Sequence, residues 1–282
     1  MIDINIDPNV VEIGNFVLAW HGIFTALGIL AGVWLAARVM RWYGLSDDPV
    51  YNGALVAVPA AIVGARILYV LGNWSQFSGN LGRVFLINEG GISVWGAVVG
   101  GILGGTLYAL RTRTPLGPFA DAAGLGLLLG LAVGRIGDII NGEHHGAHTN
   151  VPWSVVYTHP DTLAERGIPV HLAVGYEMVW DLVLLGFLLW FLRRVRIPGV
   201  VFWLFLVFYS IGRFWTHYFR TDGAVVLGLR EAQIISLIGL LISVPALLWV
   251  WRRGIRQARY DTRAPQPGTA RLEDTRGPEL AG

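Results

Sequence analysis

Residues 124–146 read G-L-G-L-L-L-G-L-A-V-G-R-I-G-D-I-I-N-G-E-H-H-G. The run from Gly124 to Val133 is apolar. Arg135, Asp138, Asn141, Glu143, His144, His145 and His148 then follow within fourteen residues. Ionisable groups at the end of an apolar segment are costly in a bilayer, so such a cluster is a functional-site hypothesis by default. The fold class follows from whether the rest of the chain repeats that apolar pattern.

It does. Of 282 residues 54% are hydrophobic and 14% charged, against about 25% charged in a soluble domain. Seven apolar segments can be drawn: Phe16–Met40, Tyr51–Gly72, Gly91–Leu110, Phe119–Ile140, Ala173–Leu192, Val200–Phe219 and Ile234–Trp251. Each approaches the roughly 20 residues that span a bilayer as a helix, and a helix satisfies its own backbone hydrogen bonds in lipid. The expected fold is an all-α polytopic membrane protein of seven helices, with residues 1–259 as one unit. Residues 141–172 are expected to form a loop region at one face, and residues 260–282, rich in Pro, Gly, Arg and acid, a disordered tail. No internal repeat of the inverted-repeat transporter kind is visible.

Charge sets the expected orientation. All 21 basic residues are arginine, which stays charged at biological pH and grips phosphate with a planar fork. Arg38 and Arg41, Arg111 and Arg113, Arg193, Arg194 and Arg196, and Arg252, Arg253, Arg256 and Arg259 follow alternate segments. The opposite loops carry only scattered arginines such as Arg83, Arg166 and Arg230. The positive-inside rule makes the arginine-rich loops cytoplasmic. That puts the N-terminus and the Gly134–Gly146 stretch outside and the C-terminus inside. Met1–Asn15 has no basic n-region, so insertion is expected to be directed by the first span or its flanks. With no cysteine in the chain, disulfides, thiolate metal sites and a cysteine nucleophile are excluded.

Four arginines fall in or beside spans: Arg66, Arg135, Arg213 and Arg220. Each needs a counter-charge or a phosphate. Glu177, Asp121, Asp138, Glu143 and Asp222 could supply the first, and a phospholipid the second. Spacings of four and three put Arg213, His217 and Arg220 on one face of a helix. His21 and His217 lie in spans and can serve as bases near neutral pH. His144, His145 and His148 are read as a polar loop surface, with metal binding or substrate contact as alternatives. Gly96, Gly100, Gly101, Gly104 and Gly105 crowd the third span. They either let helices approach closely or leave room for a lipid-sized cavity. On residues alone the chain is an outward-facing membrane protein that handles phospholipid, and an anion channel or lipid transporter competes with an enzyme.

Several motifs resemble those of the bacterial prolipoprotein diacylglyceryl transferases. The family's G-R-x-G-N-F-x-N-x-E is matched by Gly134-Arg135-Ile136-Gly137-Asp138-Ile139-Ile140-Asn141-Gly142-Glu143, and its P-W by Pro152-Trp153. Its H-P-T-x-L-Y-E is matched by His171-Leu172-Ala173-Val174-Gly175-Tyr176-Glu177. Its Y-x-x-x-R-F-x-x-E-x-x-R is resembled by Tyr209 with Gly212-Arg213-Phe214 and Arg220. Gly64-Ala65-Arg66 and Gln233 with Ser236 are weaker matches. The resemblance runs from about Trp20 to Ser236.

It implies a transferase of the bacterial plasma membrane, with its active site toward the outer face. Such an enzyme moves the diacylglyceryl group of phosphatidylglycerol onto the lipobox cysteine thiol of a preprolipoprotein signal peptide. A thioether forms and glycerol phosphate leaves. The bilayer, the lipid and the signal peptide are the implied partners, with no metal, soluble cofactor or nucleic acid. Arg135, Glu143, Arg213 and His21 or His217 are the implied catalytic residues. Arg135, Arg213, Arg220, Asn141, Asp138, Tyr209 and Arg66 are the implied phospholipid-binding residues. Negative charge builds on phosphate as the carbon–oxygen bond breaks, which suits an arginine cluster. The nucleophile comes from the substrate, and a base or positive field would raise its thiolate fraction.

The chain departs from the family pattern at several points. Trp95 stands where the family has a histidine, His21 where it has tyrosine, Asp138 for asparagine, His217 for glutamate and Leu172 for proline. Trp95 cannot accept a proton. Either His21, His217, Glu143 or the arginine field replaces the missing base, or the chain is a divergent paralogue that binds or transports anionic phospholipid without the transfer activity.

Overall fold

The computed structural model describes residues 1–14, 16–86, 91–195 and 197–261. Its helices are α1 (Trp20–Trp42), α2 (Asp48–Gly72), the single turn α3 (Trp74–Phe77), α4 (Val94–Arg111), α5 (Leu116–Asn141), α6 (Ala173–Arg194), α7 (Val200–Thr216) and α8 (Glu231–Asp261). All except α3 are long and apolar enough to cross a membrane. The expected tail from residue 262 onward lies outside the described residues.

Two expected boundaries are corrected. The first apolar run does not begin as helix. Phe16–Ala19 is strand β3, paired antiparallel with β2 (Asn9–Ile13) through a turn that uses the positive φ of Gly14 (61°). A short apolar run does not reveal its period, so it reads as helix when it adjoins one. The sixth run does not continue as one helix. After Thr216 the chain tightens into a 3-10 turn, His217–Phe219, and Arg220 is extended (φ −96°, ψ 165°). Arg213, His217 and Arg220 therefore do not share one helix face.

Small residues decide which helices pair. α1 and α5 run antiparallel with glycine on glycine: a Cβ on Gly28 would lie 2.6 Å from the Gly130 carbonyl oxygen, and one on Gly32 2.6 Å from that of Gly126. α2 and α4 are joined the same way, with a Cβ on Gly96 falling 2.2 Å from the Gly64 carbonyl oxygen and one on Gly100 2.2 Å from that of Ala60. The glycines of the third span thus serve close approach, and the cavity reading for them is set aside. The α2–α4 pair lies beside a unit of α1, α5, α6 and α7, on which α8 packs through α7.

That four-helix unit is divided along its length. Leu35, Ala36, Val39 and Met40 of α1, Leu125 and Leu128 of α5, Leu188 and Leu192 of α6, and Val201 and Phe205 of α7 form one buried apolar core. They occupy the half nearest the arginine-rich loops. Asp121, fully buried there, pairs with no arginine among the described residues: it accepts hydrogen bonds from Gly199 N and Phe202 N (both 2.7 Å) and from Tyr43 Oη (2.7 Å), which fixes the start of α7. At the other end the same helices turn polar side chains toward one another. The connection between α5 and α6 covers that end. Its strand β4 (Val155–Tyr157) pairs parallel with β1 (Ile2–Ile4), and Val155, Tyr157, Ala164 and Val170 form a second small core.

Candidate active site

α5 contributes Arg135, Asp138 and Asn141, three residues apart and hence on one face near its end. Gly142 then takes a left-handed turn (φ 75°) that stops the helix and presents Glu143. Gly137 decides what meets this face. A Cβ there would lie 2.7 Å from His21 Cα, so only glycine lets the first turn of α1 rest on α5. The result is a bond between His21 Nδ1 and Asp138 Oδ1 at 2.7 Å, with Glu143 Oε2 3.7 Å from the same nitrogen. Asn141 Nδ2 donates to Glu143 Oε1 at 3.0 Å.

Glu177 of α6 sits opposite. Arg135 Nη1 donates to Asp138 Oδ2 (2.7 Å), and Arg135 Nη2 reaches Glu177 Oε2 (2.5 Å). Arg213 of α7 donates from Nη1 to that same Oε2, also at 2.5 Å. Gly212 makes this convergence possible. Trp180 of α6 lies against it, where a Cβ would fall 2.1 Å from the indole nitrogen, so α6 and α7 close together beside Glu177. Two cations thus share one carboxylate oxygen between buried helices. Asp181, one turn beyond Glu177, is buried at the same level. Two polar atoms here, Arg135 Nε and Asn141 Oδ1, are buried and meet no partner among the described residues. Unsatisfied buried polar atoms are uncommon, and they give the site spare hydrogen-bonding capacity.

A second charged group adjoins the first. Arg220 binds Asp222 through Nε (2.5 Å) and Nη2 (3.1 Å) and donates from Nη1 to the His144 carbonyl (3.1 Å). Arg230 donates to the Asp222 carbonyl (2.8 Å) and to the His217 carbonyl. His217 is almost fully buried, its Nδ1 3.0 Å from the Arg213 carbonyl. The Arg220 guanidinium holds the Asp222 carboxyl below the usual carboxylate range. Partial burial, then the nearby Arg220 charge, holds His144 below its ordinary value. Burial pushes the Tyr157 hydroxyl, which donates to the Ile139 carbonyl at 3.0 Å, up to about 12.

The structure brings together His21, Arg135, Asp138, Asn141, Glu143 and Arg213, with Tyr209 one turn before Arg213 on α7. Arg220 and His217 lie in the adjoining group. Arg66 lies elsewhere. Its guanidinium is engaged by the carbonyls of Arg83, Val84, Leu86 and Gly91 at 2.6–3.1 Å, which folds the α2–α4 connection onto α2. Trp95 donates from Nε1 to Glu231 Oε1 at 2.8 Å, linking the first turns of α4 and α8. His144, His145 and His148 do not converge on a shared point. They meet Arg220, the Gly142 carbonyl and Glu165 respectively. His21, Asp138 and Glu143 offer ligand atoms within 4.8 Å of one another, which is metal-site spacing. Arg135 on Asp138 already supplies a cation to this group.

Glu177 entered the sequence reading as a counter-charge and as the last residue of a family motif, and Arg230 only as a scattered arginine, while Asp181 was missed. Two carboxylates one turn apart in an apolar span were the available signal for the acidic pair. Nothing local marked Arg230.

Known proteins resemble this chain over most of its length. A family model described as prolipoprotein diacylglyceryl transferase matches residues 8–250. A protein of Dehalococcoides mccartyi is 35% identical over 254 residues, 90% of this chain and 97% of the relative. One of Clostridioides difficile is 35% identical over 236 residues, 84% and 92% of the two chains. One of Gloeobacter violaceus is 36% identical over 257 residues, 89% and 95%. All three are named phosphatidylglycerol–prolipoprotein diacylglyceryl transferase. With a match of this extent on a seven-helix scaffold, the chain belongs to the prolipoprotein diacylglyceryl transferase family.

Proposed function

We propose that this protein transfers the diacylglyceryl group of phosphatidylglycerol to the lipobox cysteine thiol of a preprolipoprotein signal peptide. The thiolate sulfur forms a bond to the glyceryl carbon, that carbon's bond to the phosphate oxygen breaks, and glycerol phosphate leaves. The observation that carries the reading is the meeting of Arg135 and Arg213 on one oxygen of Glu177 inside an apolar bundle. Glu177 neutralises the pair when no lipid is bound, while Arg135 Nε and the Arg213 donors that meet no partner among the described residues remain for a phosphate. Preorganised donors aimed at developing charge are the largest single contribution in many enzymes, and removing one costs about 10²–10³-fold in rate.

In this reading Asn141 and Glu143 shape the wall beside the phosphate, and Tyr209 lines the approach to Arg213. The membrane is the bacterial plasma membrane and the site faces outward, supported by the arginine clusters at the opposite end of the helices. The test is reconstitution in phosphatidylglycerol vesicles with a lipobox peptide, read by mass spectrometry. A diacylglyceryl adduct is expected on the cysteine, absent with a Cys→Ser peptide and reduced about 10²-fold or more in Arg213→Ala and Arg135→Ala. Full activity in both variants would overturn the phosphate-holding role. An inactive wild type beside a working relative would favour a lipid-binding paralogue.

A further inference from the structure

Two of the chain's departures from the family motifs are partners in space. His21 and Asp138, 117 residues apart, are joined at 2.7 Å. A carboxylate only accepts hydrogen bonds, so the proton lies on Nδ1 of His21 and leaves the Nε2 lone pair open. The side chain of His21 is 44% exposed, whereas that of Asp138 is 5% exposed. A half-exposed ring is therefore held in one tautomer by a buried acid, itself fixed by Arg135 at 2.7 Å. The other candidates lack this arrangement. His217 is buried behind Arg213 and Arg220 with its Nδ1 on a backbone carbonyl. Trp95 is a donor only and is bonded to Glu231. Glu143 accepts from Asn141.

We infer that His21, oriented by Asp138, is the proton acceptor for the substrate thiol, and that this pair stands in for the base which Trp95 cannot be. The inference rests on the transferase reading above. The thiol proton passes to His21 Nε2 and the sulfur keeps the electron pair. The sulfur then displaces the phosphate oxygen from the glyceryl carbon, and that oxygen departs with the bonding pair on glycerol phosphate. His21 returns its proton to water before the next turnover. His21 is the catalytic residue in this scheme and Asp138 a positioning residue. The charged groups facing His21 are Asp138 and Arg135 from α5 and Glu143 from the loop that follows. α1 and β3 bring none near it.

The test compares two lipobox peptides on the full-length protein in phosphatidylglycerol vesicles. One carries cysteine. The other carries selenocysteine, which is already ionised at neutral pH and needs no base. Rates are followed against pH for wild type, His21→Gln and Asp138→Asn. With the cysteine peptide the wild-type rate should fall on the acid side as His21 is protonated, and the selenocysteine peptide should remove that fall. His21→Gln should slow the cysteine reaction by about 10²–10⁴-fold, the usual contribution of a general base. Asp138→Asn should slow it in the same sense. Both variants should recover to within about tenfold of wild type with selenocysteine, because the thiolate is the reacting form. An unchanged rate in His21→Gln would overturn the inference, as would equal slowing with both peptides. If the variants do not fold, an acid fall in wild type that persists with selenocysteine overturns it alone. Wild type inactive with both peptides would instead remove the transferase reading, and this inference with it.

Discussion

Glu177 carries a single negative charge between two guanidiniums, with its side chain 5% exposed and theirs 14% and 27%. Removing one member of a buried ionic group leaves uncompensated charge and costs about 3–5 kcal/mol. Glu177→Gln should therefore lower the thermal midpoint in detergent by several degrees, and phosphatidylglycerol should recover more of that loss than it adds to wild type. A variant that melts with wild type would mean that Glu177 is not the counter-ion. The neighbouring group gives a pH prediction. His144 titrates below its ordinary 6.5 in the folded protein. Its contribution to stability is thus complete above that value and is lost as pH falls through the folded one. Asp222 is also lowered, by its bond to Arg220. Lowering pH from about 7.5 to about 5.5 should reduce the wild-type midpoint by an increment that His144→Gln lacks, because only in wild type does the unfolded chain gain a proton on a ring that the folded protein keeps neutral beside Arg220. Melting curves for the two proteins at both pH values decide it. At this scale the sequence announced Arg135, Asp138, Asn141 and Glu143, since ionisable residues stand out at the end of an apolar run. It could not announce that Glu177 bridges two arginines, because that pairing depends on how α6 and α7 meet at Gly212.

Among the elements, the α1–α5 contact matters most, since it carries His21 to Asp138. It is made of backbone on backbone at Gly28, Gly32, Gly126 and Gly130. A methyl group at Gly32 would lie 2.6 Å from the Gly126 carbonyl oxygen, and neither backbone can yield without parting the helices. Overpacking of this kind costs about 1–3 kcal/mol. Gly32→Ala should lower the thermal midpoint and slow transfer together. Gly186→Ala in α6 meets open space and should leave activity alone, with the midpoint unchanged or raised by up to about 1 kcal/mol of helix preference. Equal effects of the two substitutions would mean that close approach is not what holds α1 on α5. The seven spans were readable because length and apolarity suffice to mark them. The strand Phe16–Ala19 was not, since its four residues show no period. The end of α7 was hidden too, because His217, Tyr218 and Phe219 tolerate helix and the 3-10 turn is imposed by Arg230 and the loop packed on it.

The whole molecule has two unlike ends. At one end Arg38, Arg41, Arg111, Arg113, Arg193, Arg194, Arg252, Arg253 and Arg256 follow or close four helices. Several of these lean on tryptophan rings, as Arg38 does on Trp34 (5.1 Å) and Arg253 on Trp249 (5.2 Å). At the other end the arginines are engaged: Arg135 and Arg213 by Glu177, Arg220 by Asp222, Arg230 by backbone carbonyls, and Arg66 by the α2–α4 connection. Topology responds to arginine in the short loops, and engaged arginines within the fold add little to that bias. The arginine-rich end should therefore be cytoplasmic and the active site outside, where a secreted thiol and the outer-leaflet lipid both arrive. The chain has no cysteine, so single cysteines report orientation without background. Asn150→Cys lies in the exposed loop above the site, and Thr112→Cys in the exposed turn between α4 and α5. A membrane-impermeant maleimide applied to intact cells should label the first at once and the second only after permeabilisation. The reverse pattern would invert the molecule and put the active site in the cytoplasm. The thiol would then have to be modified before its signal peptide crossed the membrane.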